Sequence, residues 1–118
     1  MKKRNVIKEK SFEFALEIIA LYKILVDKKE FVLSKQLLRS GTSIGANVEE
    51  STAAQSTNDF IHKLSIASKE ARETKYWLML LMQSRLVDQD YSIYLSKIDE
   101  IINILTSIIK TMQEKRDG

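Results

Sequence analysis

Two glutamates and a single histidine are the residues of this chain best placed to do chemistry. Glu70 and Glu73 occur in the stretch Glu70-Ala71-Arg72-Glu73, and His62 precedes them. Carboxylates inside a helical bundle can hold two iron ions, but that site needs Glu-x-x-His pairs on two helices and two further glutamates. One histidine cannot supply it. We therefore predict no metal site and interpret His62 as a hydrogen-bonding residue.

Other catalytic arrangements are also missing from the sequence. The chain has no cysteine, and its single histidine leaves no serine with a credible base and orienting acid. Gly41 and Gly45 lie among small residues without the lysine of a phosphate-binding loop. We predict neither an enzyme nor a bound cofactor. The alternative is an enzyme that uses Glu50, Glu70 and Glu73. Stoichiometric metal in the purified protein would support that alternative.

A polar seam is predicted between the second and third helices. If the chain folds back near Ser56, equal steps in both directions become neighbours, so that Arg39 faces Glu73, Ser43 lies near Glu70, and Glu50 lies beside His62. The seam comprises Arg39, Ser43, Asn47 and Glu50 on one helix and Glu70, Glu73 and Trp77 on the other. Buried polar groups need partners. We interpret the seam as fixing helix register or a contact between subunits, with a ligand site as the alternative.

Cations are concentrated at the start of the chain and on the outer side of the third helix. Residues 1–10 carry a net charge of +4; because the whole chain carries +3, the remainder carries −1. The candidate contacts to the phosphates of RNA or DNA are Lys2, Lys3, Arg4, Lys63, Lys69, Arg72 and Lys75. The alternative is a solvated face balanced by nearby acids. An oligomer would repeat this patch and strengthen binding.

The third helix has more apolar side chains than one core face can use. They are Tyr76, Trp77, Met79, Leu80 and Met82. Tryptophan and methionine are enriched at protein interfaces. We therefore favour a subunit interface here over a large core.

The composition indicates one all-α domain. The chain has 118 residues, no proline and only three glycines, which leaves too few turn residues for a β-rich domain. Its apolar runs fall short of the ~20 residues of a membrane span. No apolar segment typical of a signal peptide follows the basic start. We expect a cytoplasmic protein without membrane contact.

Apolar spacing predicts four helices. The first runs from Ser11 to about Asp27 and has two apolar rows: Phe12, Ala15, Leu16, Ile19, Tyr22 and Val26, and beside it Phe14, Ile18, Leu21 and Leu25. The second runs from about Leu33 to Ala54. The third begins in Ser56-Thr57-Asn58-Asp59 and reaches about Ser84. The fourth begins in Asp88-Gln89-Asp90 and frays after Glu114.

Short connections make neighbouring helices antiparallel, so we predict an up-down-up-down four-helix bundle. The bundle comprises residues 11–115, between a basic flexible leader (residues 1–10) and a frayed end (residues 116–118). Gly41 and Gly45 each cost roughly 1 kcal/mol relative to alanine inside a helix. Tight packing of the small-residue segment 39–51 against another helix is the expected compensation, with a break at Gly41-Thr42 as the alternative.

Two blocks of sequence carry a family resemblance. The first is Gln36-Leu37-Leu38-Arg39 followed by Thr42-Ser43-Ile44-Gly45-Ala46-Asn47-Val48-Glu49-Glu50. The second extends from Asp59-Phe60-Ile61-His62-Lys63-Leu64-Ser65-Ile66-Ala67 to Glu70-Ala71-Arg72-Glu73-Thr74-Lys75-Tyr76-Trp77-Leu78. In order and spacing these blocks resemble the bacterial 23S rRNA intervening sequence proteins. The resemblance extends from about Phe12 to Met112. Many members have a glycine where this chain has Ser51.

The resemblance implies a bacterial four-helix bundle that forms a homopentameric ring and has no established catalytic activity. Related accessory proteins of diversity-generating retroelements bind nucleic acid and a reverse transcriptase. We therefore expect a non-enzymatic, oligomeric scaffold or adaptor that binds RNA or DNA through repeated basic surface. The alternative is a protein-interaction module, with another protein as partner and no affinity for nucleic acid.

Overall fold

The computed structural model describes residues 4–118, which form four α-helices: α1 (Val6–Asp27), α2 (Leu33–Ser51), α3 (Thr57–Ser84) and α4 (Ser92–Asp117). Within this part of the chain there is no strand. Each helix packs against the next, and α4 returns to pack against α1. Contacts between α2 and α3 join Arg39 to Glu73 and Glu50 to Lys63, in opposite order along the two helices. The predicted antiparallel four-helix bundle is therefore confirmed.

Helix α1 begins at Val6, earlier than the predicted start at Ser11. The Oδ1 atom of Asn5 accepts a hydrogen bond from the backbone N–H of Lys8 at 3.1 Å, which caps the first turn. Ile7 adds a buried side chain to the core. Residues 6–10, predicted as part of a flexible leader, are thus helical, because a cap and one apolar contact outweigh the local excess of cations. Lys2 and Lys3 lie outside the described residues.

The two apolar rows of α1 occupy opposite environments. Phe14, Ile18, Leu21 and Leu25 are buried in the core, whereas Phe12 and Leu16 of the other row are 64% and 53% exposed. Both rows have helical spacing, but α1 meets only α2 and α4, so its outer side has no partner within the bundle.

Helix α2 is continuous through Gly41-Thr42, and its small residues pack against α1 as predicted. A Cβ placed on Gly41 would lie 2.8 Å from Cγ2 of Ile18, and one placed on Gly45 would lie 3.3 Å from the backbone oxygen of Ser11. The helix ends at Ser51 rather than Ala54. The N–H groups of Thr52 and Ala53 bond to carbonyls three residues back, which tightens the chain into a turn.

Helices α3 and α4 complete the core. Ser56 caps α3 as predicted, since its Oγ accepts the N–H of Asp59 at 3.0 Å. Helix α4 begins at Ser92, after the predicted start in Asp88-Gln89-Asp90, because Tyr91 lies buried ahead of the first turn and its hydroxyl donates to the Val87 carbonyl at 3.0 Å. It continues to Asp117 rather than ending near Glu114. No helix in residues 4–118 is both long and apolar enough to cross a membrane.

Candidate interaction surfaces

The centre of the predicted seam is a charged cluster, defined by Arg39, Glu70, Glu73 and Trp77. The guanidinium of Arg39 on α2 forms the predicted ion pair with Glu73 on α3. It also reaches Glu70, with Nη1 3.3 Å from Oε2. The indole N–H of Trp77 donates to Oε2 of Glu73 at 3.4 Å. Arg39 thus joins two carboxylates of α3 to α2, and the indole N–H of Trp77, within α3, orients one of them.

The remaining seam residues behave differently from the prediction. Ser43 donates to the carbonyl of Arg39 at 2.6 Å, and Asn47 donates to the carbonyl of Ser43 at 2.9 Å, so both bond within α2. Glu50 forms its ion pair with Lys63, at 3.1 Å, next to the predicted neighbour His62. Side chains of small polar residues reach a carbonyl one turn back more easily than a neighbouring helix. The seam is therefore a local cluster at Arg39 rather than a continuous stripe.

A second set of charges, not predicted from the sequence, joins α1 to α4. Lys10 pairs with Glu100 at 2.6 Å, and Lys97 pairs with Glu17. These pairs border a cleft of about 70 Å³ whose floor includes Phe14 and Ile101. The charges alternate along both helices, so the pairs hold the closing edge of the bundle together.

Helix α1 presents an apolar row to solvent, defined as Phe12, Leu16 and Ile19. Helical spacing places these side chains together on the side of α1 that faces away from Ile18 and the core. Isolated exposed apolar residues are common, but a contiguous row is typical of an interaction surface. The signal in the sequence was the presence of two apolar rows on α1, of which the bundle buries only the row that contains Phe14 and Ile18.

The outer face of α3 continues from cations into apolar residues. Tyr76, Met79 and Met82 are exposed, whereas Trp77 and Leu80 are partly buried. The rings of Tyr76 and Trp77 meet edge to face with centroids 5.2 Å apart. Tyr76, Met79 and Met82 are thus available for contact with another molecule.

The predicted phosphate contacts divide into paired and free cations. Lys63 is paired with Glu50, and Lys75 with Asp99 at 2.7 Å. Arg4 is exposed and paired with Glu9. Lys69 and Arg72 are exposed on α3, and neither forms an ion pair with any residue in the range 4–118. Pairing thus reduces the available basic surface on α3 to Lys69 and Arg72.

His62 is exposed on the outer side of α3. Among residues 4–118 there is no group of three or more histidine, cysteine, aspartate or glutamate side chains arranged to hold a metal ion.

The chain and its fold are similar to known proteins. A family model described as 23S rRNA-intervening sequence protein matches residues 3–107. The fold is similar to the crystal structure of a protein of unknown function from the S23 ribosomal protein family of Bacteroides thetaiotaomicron VPI-5482. The two chains are 56% identical, with a TM-score of 0.85, and the match covers 90% of this chain and 96% of the other. No curated protein matches the chain.

Proposed function

The chain belongs to the 23S rRNA-intervening sequence protein family, and on that premise we propose that it is a non-enzymatic cytoplasmic scaffold that assembles with copies of itself. The observation that carries this proposal is the exposed row Phe12, Leu16 and Ile19, which lies opposite the core face of α1. Covering such a row removes apolar surface from water, at about 25 cal/mol per Å². The family resemblance points to five copies.

The positions of the apolar surfaces favour a ring over a closed dimer. Helices α1 and α3 do not pack against each other, so the row on α1 and the patch of Tyr76 and Met79 on α3 lie on opposite sides of the bundle. A contact between two different patches is heterologous, and it gives a ring when the rotation between copies divides a full turn and an open filament when it does not. In this arrangement α1 of one copy contacts α3 of the next.

Light scattering on the purified full chain tests the assembly. We expect a mass several times the 13.6 kDa of one chain, and the variant Phe12→Ser/Leu16→Ser should shift to the mass of one chain. Tyr76→Glu on α3 should have the same effect, because it alters the opposite side of the same contact. Phe31→Ser is the control, since Phe31 is similarly exposed but lies in the α1–α2 connection. A wild-type monomer at micromolar concentration would contradict the proposal.

Binding of RNA or DNA is the second candidate function, favoured by the unpaired cations Lys69 and Arg72 on one face of α3. A ring would repeat this pair once per copy, and Lys2 and Lys3 at the start of the chain would raise the positive charge of the assembly. Contacts with phosphates release counterions, so the affinity should fall steeply as the salt concentration rises.

A filter or anisotropy assay with a mixed RNA pool at low and moderate salt tests this second function. Lys69→Glu/Arg72→Glu should weaken binding and flatten its salt dependence. The control, Lys110→Glu, changes an exposed cation on α4. If the wild-type ring ignores nucleic acid, the chain is better described as a protein-interaction module, with another protein as its partner.

A further inference from the structure

One end of the bundle holds apolar side chains in solvent. Phe31 and Val32 in the α1–α2 connection are 57% and 70% exposed, and Leu86 in the α3–α4 connection is 58% exposed. The two connections meet, so that these three side chains and the buried Val87 line one groove of about 320 Å³. We call it the loop-end groove. Clustered apolar side chains of this size around a concavity are typical of a binding surface.

The backbone on both sides of the loop-end groove is held in place. The carboxylate of Glu30 accepts the N–H groups of Val32, Leu33 and Ser34 at 3.2, 2.9 and 2.6 Å. On the other side, the hydroxyl of the buried Tyr91 donates to the carbonyl of Val87 at 3.0 Å. These bonds fix the backbone that carries Val32 and Val87 on the two sides of the groove. A preformed groove loses little conformational entropy when it binds.

The residues that line the loop-end groove carry one net positive charge. Lys28 and Lys29 line it together with one carboxylate, that of Glu30, which is buried and already accepts three N–H groups. Neither lysine forms an ion pair with another residue in the described part of the chain. An adjoining groove that shares Val87 contains both Arg85 and Asp88 and adds no excess of either sign. Lys28 and Lys29 are thus the cations of the lining that have no ion-pair partner among residues 4–118, and the exposed Asp27 precedes them in the chain.

We propose that the loop-end groove docks an acidic peptide segment of a partner protein. Its apolar side chains would pack between Phe31 and Leu86, and its carboxylates would pair with Lys28 and Lys29. A groove can receive an inserted side chain, whereas a flat lipid surface would leave the groove unfilled. The groove lies beyond the ends of α1 and α3, in the two connections, whereas the proposed assembly contact uses side chains within those helices.

Selection of short random peptides displayed on phage, with the full chain immobilised, tests this proposal. Enriched peptides should combine Asp or Glu with Leu, Ile or Phe. In fluorescence anisotropy, Phe31→Ser and Lys28→Glu/Lys29→Glu should each weaken their binding at least about tenfold, equivalent to about 1.4 kcal/mol. Val6→Ser is the matched control, since Val6 is exposed on α1 outside both the groove and the assembly row: it should leave peptide affinity unchanged. Phe12→Ser/Leu16→Ser tests the assembly separately. Thermal melts confirm that each variant is folded.

Four outcomes would overturn the proposal. The first is that no enriched peptide depends on Phe31. The second is enrichment of basic or uncharged peptides. The third is binding to phosphatidylserine vesicles that is lost in Phe31→Ser, which would make the groove a lipid contact. The fourth is a change of mass in Phe31→Ser, which would assign the groove to a second copy of the chain.

Discussion

Gly41 of α2 lies so close to Ile18 of α1 that no side chain fits between them. A Cβ on Gly41 would lie 2.8 Å from Cγ2 and 3.1 Å from Cγ1 of Ile18. Ile18 is fully buried and β-branched, so its side chain cannot turn aside. The glycine therefore fixes the distance between α1 and α2, and the structure supplies the packing reason that a glycine inside a helix requires.

Replacing Gly41 by alanine should destabilise the bundle. Alanine gains about 1 kcal/mol of helix propensity, but overpacking a well-filled core costs roughly 1–3 kcal/mol. We expect a net loss of about 1 kcal/mol, measured by urea unfolding. Ala46→Gly, at an exposed site of the same helix, measures propensity alone. If Gly41→Ala stabilises the protein by as much as Ala46→Gly destabilises it, the steric argument is wrong.

Arg39→Ala should lower the melting temperature by a few degrees. The substitution leaves Glu70 and Glu73 next to each other without their cation, but Arg39 is half exposed, so the expected loss is only about 1 kcal/mol. Arg72→Ala is the control, since it removes the same charge from an unpaired site. A melting temperature equal to that of the wild type would refute the structural role of the charged cluster.

Acid should weaken the start of α2 through Glu30. Burial disfavours the charged carboxylate, but hydrogen bonds from the N–H groups of Leu33, Ser34 and Val32 outweigh burial and hold the pKa of Glu30 below its usual value of 4.5. A lowered pKa in the folded state means that the carboxylate stabilises the fold above about pH 4.5. This contribution is lost as the pH falls through the lowered pKa.

Glu30→Gln isolates that contribution. At pH 7 the variant should be less stable than the wild type by roughly 1–2 kcal/mol, the usual effect of losing a helix cap. The difference should shrink as the pH falls below about 4.5. Melting curves across this range provide the measurement, with Glu13→Gln at an exposed site as the control. A difference between wild type and variant that does not change with pH would contradict this account of the cap.

Arg85→Gly should stabilise the bundle. Arg85 follows the last residue of α3 with a φ of 55°, in the left-handed region that costs a residue with a Cβ roughly 1–2 kcal/mol. Glycine avoids this cost but loses more conformational entropy on folding, so we expect a net gain of about 0.5–1 kcal/mol. Arg85→Ala removes the charge and keeps the Cβ. Equal melting temperatures for the two variants would show that backbone strain is not involved.

Contacts between α2 and α3 could be predicted because a short connection joins the two helices. Antiparallel helices bring residues at equal steps from the turn together, which correctly placed Arg39 opposite Glu73. The same argument failed for Ser43 and Asn47, because hydrogen bonds within the helix compete with contacts across it. Helical spacing specifies a face, whereas the bond that a side chain makes depends on distances of a few tenths of an ångström.

The loop-end groove could not be predicted from local patterns. Phe31 and Leu86 belong to different connections, and only the return of α3 beside α2 brings them to the same end of the bundle. Their sequence neighbours show no periodicity, since both lie outside the helices. The pairing of Lys63 and Lys75 with carboxylates on α2 and α4 was missed for a similar reason.

The sequence by itself determined the number, order and antiparallel arrangement of the helices. Apolar periodicity, caps such as Ser56 and the scarcity of turn residues are local signals that a single chain carries in full. Only the tertiary structure decided which apolar row of α1 is buried. Phe14 and Ile18 face the core, while Phe12 and Leu16 face solvent. Both rows satisfy the same helical period, and the choice between them depends on the close fit of Ile18 against Gly41, which is a contact between distant parts of the chain.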